Sequence, residues 1–285
     1  MNIIFESFGG IGKVVMSTVI VRLLKEKYPN DKLIVVTGHT SIFKNNPHVD
    51  HLYPPTSRPA INNLFIKGRE ARILAKEVYS EDAYIQSKEH LLETWAKMYD
   101  LEYNGELPEL YVDSEELSKI ELNDSKPIMV LHPNGGAFDF NDYNWSRDLP
   151  KEDVLDIINK YKDDYNIYHI KSKNQLTYPN VIEEMGSIRK LICLISKAEK
   201  IFTVDTATQH IAMALRKQSN VFWVTTKPKV FGYDFHNNII SNPPEFYTPS
   251  GVYCGYNFIE PLESLPYSDP CRIFDMDEIL NSLND

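Results

Sequence analysis

The sequence predicts an α/β fold of two Rossmann-like domains that face a central cleft, with a helix that closes the chain. Three observations support this prediction. A short apolar strand that runs into a glycine-containing loop occurs twice, at residues 2–12 and at residues 127–136. A polar, acidic stretch at residues 113–126 separates the two and predicts a linker. Residues 201–215 (IFTVDTATQHIAMAL) combine an apolar strand, a polar turn and a helix.

The composition is that of a globular protein with room for two domains. Of 285 residues, 25% are charged and 42% are hydrophobic. A formal net charge of -10 disfavours a general nucleic-acid binder. No apolar run approaches the roughly 18–20 residues that cross a bilayer, and no signal peptide is recognisable. The three cysteines form no CxxC pair, so we expect a reduced, cytoplasmic protein without a transmembrane segment or a zinc site.

The first domain is predicted to cover residues 1–124. It opens with a strand at residues 2–6, a turn that contains Gly9, Gly10 and Gly12, a helix at residues 13–28 and a strand at residues 32–37. This β-α-β order predicts a parallel sheet. The glycine spacing matches neither a dinucleotide-binding fingerprint nor a P-loop.

The remainder of this domain is predicted from weaker patterns. A third strand ends at residue 53, a loop follows at residues 54–63, and helices cover residues 64–79 and 88–99. Residues 107–112 are predicted as a strand. The region around Arg69 and Arg72 is basic, which is typical of a solvated face but also fits a surface for an anionic acceptor.

The second domain is predicted to cover residues 125–285. Its strands lie at residues 127–131, 167–170, 201–204 and 221–224, and its helices at residues 150–161, 188–197 and 275–283. A helix is also expected to open near His210. Trp145 ends the first loop, and residues 233–266, rich in Pro, Asn and Tyr, are predicted to be irregular.

The turn at residues 205–209 is the strongest candidate for a binding site. A helix that starts at the carboxyl end of a strand directs free N–H groups and a partial positive charge into the crevice above the sheet, where phosphates bind in open α/β folds. An ordinary strand–helix joint, in which Asp205 is only a cap, explains the same pattern.

Four motifs in this order resemble one known family. FGGIGKVVMSTVIVRLLKEKYPNDKL resembles the N-terminal signature of the lipopolysaccharide heptosyltransferases, glycosyltransferase family 9. VLHPNGG with a later Trp resembles the H-P-G loop of that family, and MGSIRKLICLISKAEKIFTVDTATQHIAMAL resembles its D-T-G-x-x-H signature. Cys271 and the helix that follows it resemble the usual C-terminus.

The resemblance implies a GT-B glycosyltransferase that takes a nucleotide-sugar donor and needs no cofactor or metal. The donor diphosphate would lie near the helix start, and the C-terminal domain would supply the remaining contacts. The implied donor-binding residues are His132, Asn134, Gly135, Asp205, Thr206, Ala207, Thr208 and His210. Lys171 is a further candidate for the diphosphate because it follows the strand at residues 167–170. The resemblance also implies inversion at the transferred sugar.

One departure from the family affects the catalytic base. The family's aspartate after the first glycine turn, taken as the base that deprotonates the acceptor, is Lys13 here. A lysine binds an anion more readily than it takes a proton. Glu6, at the end of the first strand, is the leading substitute as base, although it could simply bind backbone amides.

Three functions are consistent with these residues. The first is transfer of a sugar to a carbohydrate or lipid-linked acceptor. The second is transfer to a hydroxylated base in DNA, as some bacteriophage enzymes do. The third is binding of a nucleotide-sugar without catalysis. The sequence does not determine the donor sugar, the acceptor or the oligomeric state.

Overall fold

The computed structural model describes residues 1–123, 125–135, 147–224, 226–241 and 274–283. The chain divides into two compact units. The first comprises Met1–Ile120, Ser187–Cys193 and His210–Lys217, and the second comprises Glu121–Gly186, Leu194–Gln209 and Gln218–Asp285. The predicted domains are continuous in sequence, whereas two segments of the second half group with the first unit.

The described residues contain ten strands. In chain order they are β1 (Asn2–Glu6), β2 (Lys32–Val36), β3 (His51–Tyr53), β4 (Ala71–Leu74), β5 (Ile128–His132), β6 (Asn166–Ile170), β7 (Ile182–Glu184), β8 (Lys200–Val204), β9 (Asn220–Trp223) and β10 (Asn237–Ile240).

The described residues also contain ten α-helices, several of them a single turn. They are α1 (Ile11–Lys27), α2 (Arg58–Ile61), α3 (Asp82–Ile85), α4 (Leu91–Met98), α5 (Ser114–Lys119), α6 (Lys151–Tyr161), α7 (Ile188–Lys197), α8 (Ala207–Ala214), α9 (Pro228–Phe231) and α10 (Met276–Ser282). Short 3-10 helices lie at Thr40–Phe43, Pro55–Ser57 and Val78–Ser80, and a π-helix at Asn62–Ile66.

The first unit is built on a parallel sheet with the strand order β3-β2-β1-β4. In β1, Ile4 pairs with Ile34 of β2 on one side and with Ile73 of β4 on the other. Residues of α1 from Lys13 to Val21 are all buried, because the helix is covered on several sides. The predicted β-α-β start is confirmed.

The second unit contains a parallel sheet with the strand order β10-β9-β8-β5-β6-β7. Its core packs Met129 and Leu131 of β5 with Phe202 of β8 and Ile157 of α6. Met276 and Leu280 of α10 belong to the same core, and the side chain of Asp275 caps this helix by accepting from the Glu278 amide at 3.1 Å. The predicted closing helix is therefore confirmed.

The predicted helix at residues 64–79 is wrong. Gly68, with φ +69°, ends the preceding turn, and β4 then pairs in parallel with β1, where Leu74 lies opposite Phe5. Pairing with β1, about 70 residues earlier in the chain, outweighs the local helix propensity of this stretch. The conformation of β4 is therefore set by tertiary contacts.

The segment between the two sheets also differs from the prediction. Residues 107–112 do not form a strand. The main-chain amide of Glu109 instead donates a hydrogen bond to Thr18 Oγ1 of α1 at 3.0 Å. Part of the predicted linker forms α5, because the side chain of Asp113 accepts from the Glu116 amide at 2.7 Å and caps the helix.

Three elements of the second unit, β7, β10 and α9, are absent from the prediction. β10 falls inside the stretch predicted to be irregular, and residues 242–266 of that stretch lie outside the described residues. Trp145, Cys254 and Cys271 also lie outside them. In the described part of the chain, no helix has both the length and the apolar character needed to cross a membrane.

Candidate active site

The candidate residues of the second unit gather at the carboxyl edge of its sheet. His132 ends β5 and lies in register with Thr203 of β8. Asp205 follows β8 directly, and Lys171 follows β6, the other neighbour of β5. Because parallel strands end at the same edge, residues distant in sequence meet here, and this edge is where open α/β sheets bind ligands.

The start of α8 is open to the surface. The helix begins at Ala207, earlier than the predicted opening near His210, which lies buried inside it. Thr206 and Ala207 are partly exposed, whereas Thr208 is buried. The first amides of a helix have no partner within it and carry a partial positive charge. This helix start can therefore accept an anion.

His132 is fixed against this helix start. Its Nδ1 lies 2.7 Å from Thr208 Oγ1. The dense protein around the imidazole, together with the nearby His169, lowers the pKa of His132 to about 3. His132 is consequently neutral at physiological pH and contributes a hydrogen bond rather than a positive charge.

Asp205 is held by groups of the protein. Its Oδ1 accepts from Gln209 Nε2 at 2.5 Å, and its Oδ2 lies 3.4 Å from Arg147 Nη2. The side chain is 8% exposed. Asp205 therefore orders the turn, while its predicted contact with sugar hydroxyls stays a prediction.

Arg147 is the main site residue that the sequence analysis missed. Its Nη2 donates to the main-chain oxygen of Asp205 at 2.5 Å, which places a guanidinium beside the start of α8. The side chain of Arg147 is 22% exposed to solvent. An arginine one residue before Asp148, on the loop that follows β5, was the available signal, but the loop pattern alone does not show where its side chain lies.

Asn134 and Gly135 bind Asp148 in this structure. Asn134 Nδ2 donates to Asp148 Oδ2 at 3.0 Å, and the Gly135 amide donates to Oδ1 at 2.7 Å. A Cβ on Gly135 would lie 2.8 Å from Cβ of Arg147, so this glycine allows the loop to pass beside Arg147. Both residues lie at the site and hold Asp148, the neighbour of Arg147 in sequence, and their role in donor binding stays a prediction.

Lys171 lies at the same edge but is enclosed. Its Nζ donates to Thr177 Oγ1 at 2.9 Å and lies 3.5 Å from Glu183 Oε1. The side chain is 5% exposed. These contacts occupy the ammonium, and a role for Lys171 in binding the diphosphate stays a prediction.

Beside Lys171, His169 is fully buried, and neither ring nitrogen has a hydrogen-bond partner among the described residues. Its ring packs edge-on against Tyr178 with centroids 5.2 Å apart. Burial, with a smaller effect of the Lys171 charge, lowers the pKa of His169 to about 4. Burial also raises the pKa of Tyr178.

In the first unit, the glycine turn is shaped around Lys13. Gly9 has φ +110°, a conformation that favours glycine, and a Cβ there would lie 3.3 Å from Lys13 Cδ. Gly10 precedes α1 with φ -67°, and Gly12 lies in its first turn. The oxygen of Gly9 lies 3.1 Å from His39 Nε2.

Lys13 forms an ion pair with Glu77. Its Nζ lies 2.5 Å from Glu77 Oε1, and its side chain is only 5% exposed. The ammonium also lies 4.8 Å from the ring centre of Tyr79 and 5.6 Å from that of Trp95. These partners compensate the charge of Lys13, and its predicted role in binding a substrate anion stays a prediction.

Glu6 ends β1 at the same edge but is mostly enclosed. Its side chain is 7% exposed, and Oε2 lies 2.5 Å from Arg58 Nη2. At this edge of the sheet Arg58 pairs with Glu6 and Glu77 pairs with Lys13, and the predicted role of Glu6 as base stays a prediction.

Several solved structures with a fold similar to that of this chain are described as glycosyltransferases. An E. coli ADP-heptose lipopolysaccharide heptosyltransferase II aligns over 99% of this chain and 98% of its own, with a TM-score of 0.68 and 17% identity. A glycosyl transferase family 9 protein from Veillonella parvula aligns over 84% and 85%, with a TM-score of 0.65 and 11% identity. The E. coli heptosyltransferase WaaC with ADP aligns over 85% and 93%, with a TM-score of 0.58 and 14% identity.

This chain has the heptosyltransferase fold. The likeness confirms the predicted GT-B fold class and, at the level of the fold, the resemblance to glycosyltransferase family 9. No family model matches the sequence, and no curated protein does.

Within this heptosyltransferase-like fold, Arg69 and Arg72 lie apart from the glycine turn. Arg69 precedes β4 and donates to the main-chain oxygens of Asn63 and Lys67 at 3.0 and 3.2 Å. Arg72 Nη1 donates to the hydroxyl of Tyr28, the residue after α1, at 3.0 Å. Both arginines therefore lie toward the amino edge of the sheet, and their acceptor-side role stays a prediction.

Cys193 is fully buried in α7. Among the described residues, no three His, Cys, Asp or Glu side chains are grouped so as to hold a metal ion. Metal independence stays a prediction.

Proposed function

We propose that the protein is a glycosyltransferase that moves a sugar from a nucleotide-sugar donor to a hydroxyl acceptor. The observation that carries this proposal is the open start of α8 with Arg147 beside it, at the carboxyl edge of the sheet. The fold shared with solved heptosyltransferases supports it.

The chemistry of the leaving group fits this edge. Cleavage of the bond between the sugar and the diphosphate leaves negative charge on the diphosphate oxygens. The amides at the start of α8 and the guanidinium of Arg147 supply preorganised positive charge for that oxyanion. Because both are parts of the protein, the proposal includes metal-independent transfer, with inversion expected from the family resemblance.

The donor is proposed to bind to the second unit. Thr206 and Ala207 would contact the diphosphate through their main chain, while His132 and Thr208 hold the helix start in place. One solved neighbour carries ADP, which makes nucleoside diphosphates suitable probes. A carbohydrate or lipid-linked acceptor, and action in the cytoplasm, are parts of the same proposal.

The DNA alternative would use the basic residues between Arg58 and Lys76 to bind phosphates, and the described contacts of the arginines there do not favour it. Arg58 pairs with Glu6, Arg69 binds its own loop, and Arg72 binds Tyr28. These contacts engage the arginines that the alternative would use for phosphates.

Calorimetry with ADP, UDP and GDP tests the proposal. We expect wild-type protein to bind at least one of them with similar affinity in EDTA and in magnesium. Arg147→Met should weaken that binding by about 10- to 100-fold, the usual cost of a charged hydrogen bond. Arg147→Lys should recover part of the loss because it keeps the charge.

The matched control is Arg22→Met. Arg22 is 19% exposed and pairs with Glu109 at 3.1 Å, so the variant removes a similar ion pair from α1. It should bind as the wild type does. A strict need for magnesium, or equal losses in the two Met variants, would contradict the proposed site.

A further inference from the structure

A second carboxylate reaches the edge of the sheet where Glu6 and the glycine turn lie. Glu77 follows β4, and β4 pairs in parallel with β1, with Leu74 opposite Phe5. Both strands therefore end at one edge. In sequence, Glu77 is 64 residues from Lys13, yet the sheet order brings the two side chains into contact.

Glu77 is held in a fixed position. Its Oε1 accepts from Lys13 Nζ at 2.5 Å and from the Tyr79 amide at 3.2 Å. Lys13 is itself anchored, since it is nearly buried and lies over the rings of Tyr79 and Trp95. A carboxylate bound to an anchored ammonium has little freedom to rotate.

Glu77 is also accessible to another molecule. Its side chain is 43% exposed, against 7% for Glu6. Both described contacts fall on Oε1, and in the part of the chain that the structure describes no donor contacts Oε2. A carboxylate oxygen that is held in position but accepts no hydrogen bond from the described residues can take a proton from an acceptor hydroxyl.

The other ionisable groups near Glu77 are unsuited to that task. The Lys13 side chain is engaged with Glu77, and Glu6 is enclosed with Arg58. The Tyr99 hydroxyl exchanges hydrogen bonds with the main chain of Lys76 at 3.1 and 3.4 Å. Burial, with smaller effects of the Glu77 and Glu6 charges, raises the pKa of Tyr99, so the phenol stays neutral.

The geometry points to Glu77 as the general base of the transfer reaction, with Lys13 as the residue that positions it. This inference rests on the proposed function. The acceptor O–H proton passes to Glu77 Oε2 while the acceptor oxygen forms a bond to the anomeric carbon. The bond from that carbon to the diphosphate oxygen breaks, and its electron pair leaves with the nucleoside diphosphate. The candidate base thus moves from Glu6 to Glu77.

Turnover of sugar nucleotides by a small set of variants tests this inference. The probes are ADP-glucose, ADP-heptose, UDP-glucose and GDP-mannose, with water as acceptor and release of nucleoside diphosphate as readout. Glu77→Gln should lower kcat about 100-fold or more, the usual range for loss of a general base. Its affinity for the nucleoside diphosphate should stay within about twofold of the wild type.

The pH profile separates a base from a structural ion pair. Glu77→Gln should lose the acid limb of kcat/KM. Lys13→Met should keep an acid limb but lower kcat, because the carboxylate remains and loses the ammonium that positions it. Glu93→Gln is the matched control, since Glu93 is 41% exposed and pairs with Lys97 at 2.7 Å; it should turn over as the wild type does.

The outcomes distinguish the two proposals. If wild-type protein turns over a probe and Glu77→Gln does so within about threefold, the inference is overturned and the proposed function stands. If Glu77→Gln loses nucleotide affinity and thermal stability together with kcat, Glu77 is a structural residue. If wild-type protein binds a nucleoside diphosphate but turns over no probe, the inference is overturned. If it also binds no nucleoside diphosphate, the proposed function falls as well.

Discussion

His132 at the end of β5 and Thr208 in the first turn of α8 share a hydrogen bond of 2.7 Å between Nδ1 and Oγ1. The bond joins the middle of the second sheet to the helix start that we propose as the diphosphate site. Because Thr208 is fully buried, the imidazole nitrogen has no easy substitute for this partner. The hydrogen bond therefore fixes the direction of the helix amides.

Thr208→Val should show how much the hydrogen bond between His132 and Thr208 contributes to the free energy of unfolding. Valine has nearly the same shape but leaves the Nδ1 atom of His132 without its partner, which we expect to lower the free energy of unfolding by about 1–2 kcal/mol. Urea denaturation measures this loss. Thr208→Ser keeps the hydroxyl and should lose less. Equal losses in both variants would mean that the threonine methyl group, rather than the hydrogen bond, stabilises the site.

Gly9→Ala should destabilise the first unit. Gly9 has φ +110°, and a new Cβ would lie 3.3 Å from Lys13 Cδ, so the substitution adds backbone strain and crowds the lysine. We expect a loss of about 1–3 kcal/mol in urea denaturation. Gly10→Ala is the control, because Gly10 has φ -67° and open space around it. It should cost at most about 1 kcal/mol, and a larger loss for Gly10 than for Gly9 would contradict the turn geometry.

His169→Leu should make folding less sensitive to acid. The pKa of His169 is about 4, below the ordinary value of 6.5. Above the unfolded pKa, both states are neutral and the stability is complete. Between pH 6.5 and 4, His169 is protonated in the unfolded chain but stays neutral in the folded chain. The free energy of unfolding therefore falls as the pH is lowered.

The leucine variant removes this pH-dependent loss of stability, and it also removes the two buried ring nitrogens that have no hydrogen-bond partner among the described residues. At pH 7 we expect a change within about 1 kcal/mol, in either direction. Denaturant midpoints from pH 7 to pH 4 should fall less steeply in the variant than in the wild type. Some acid dependence should remain, because burial also lowers the pKa of His132 and of His236. Parallel curves would show that His169 does not titrate in this range.

Short-range patterns predicted the elements that define the fold. The strand, glycine turn and helix at the N-terminus, α7, and the β8–α8 unit all show regular spacing of apolar residues within one element. The helix predicted at residues 64–79 failed because β4 owes its conformation to pairing with β1. Similarly, α5 owes its start to a local cap at Asp113, a signal that the acidic composition of the segment obscured.

By itself the sequence determined the α/β class, the heptosyltransferase-like order of motifs and the turn from Asp205 to Thr208, because each depends on neighbouring residues. Only the tertiary structure decided which side chains meet. Arg147 reaches Asp205 across 58 residues, and Glu77 reaches Lys13 across 64. Such contacts follow from strand order in a parallel sheet, where residues remote in sequence end at one edge. The strand order cannot be predicted from the local spacing of apolar residues.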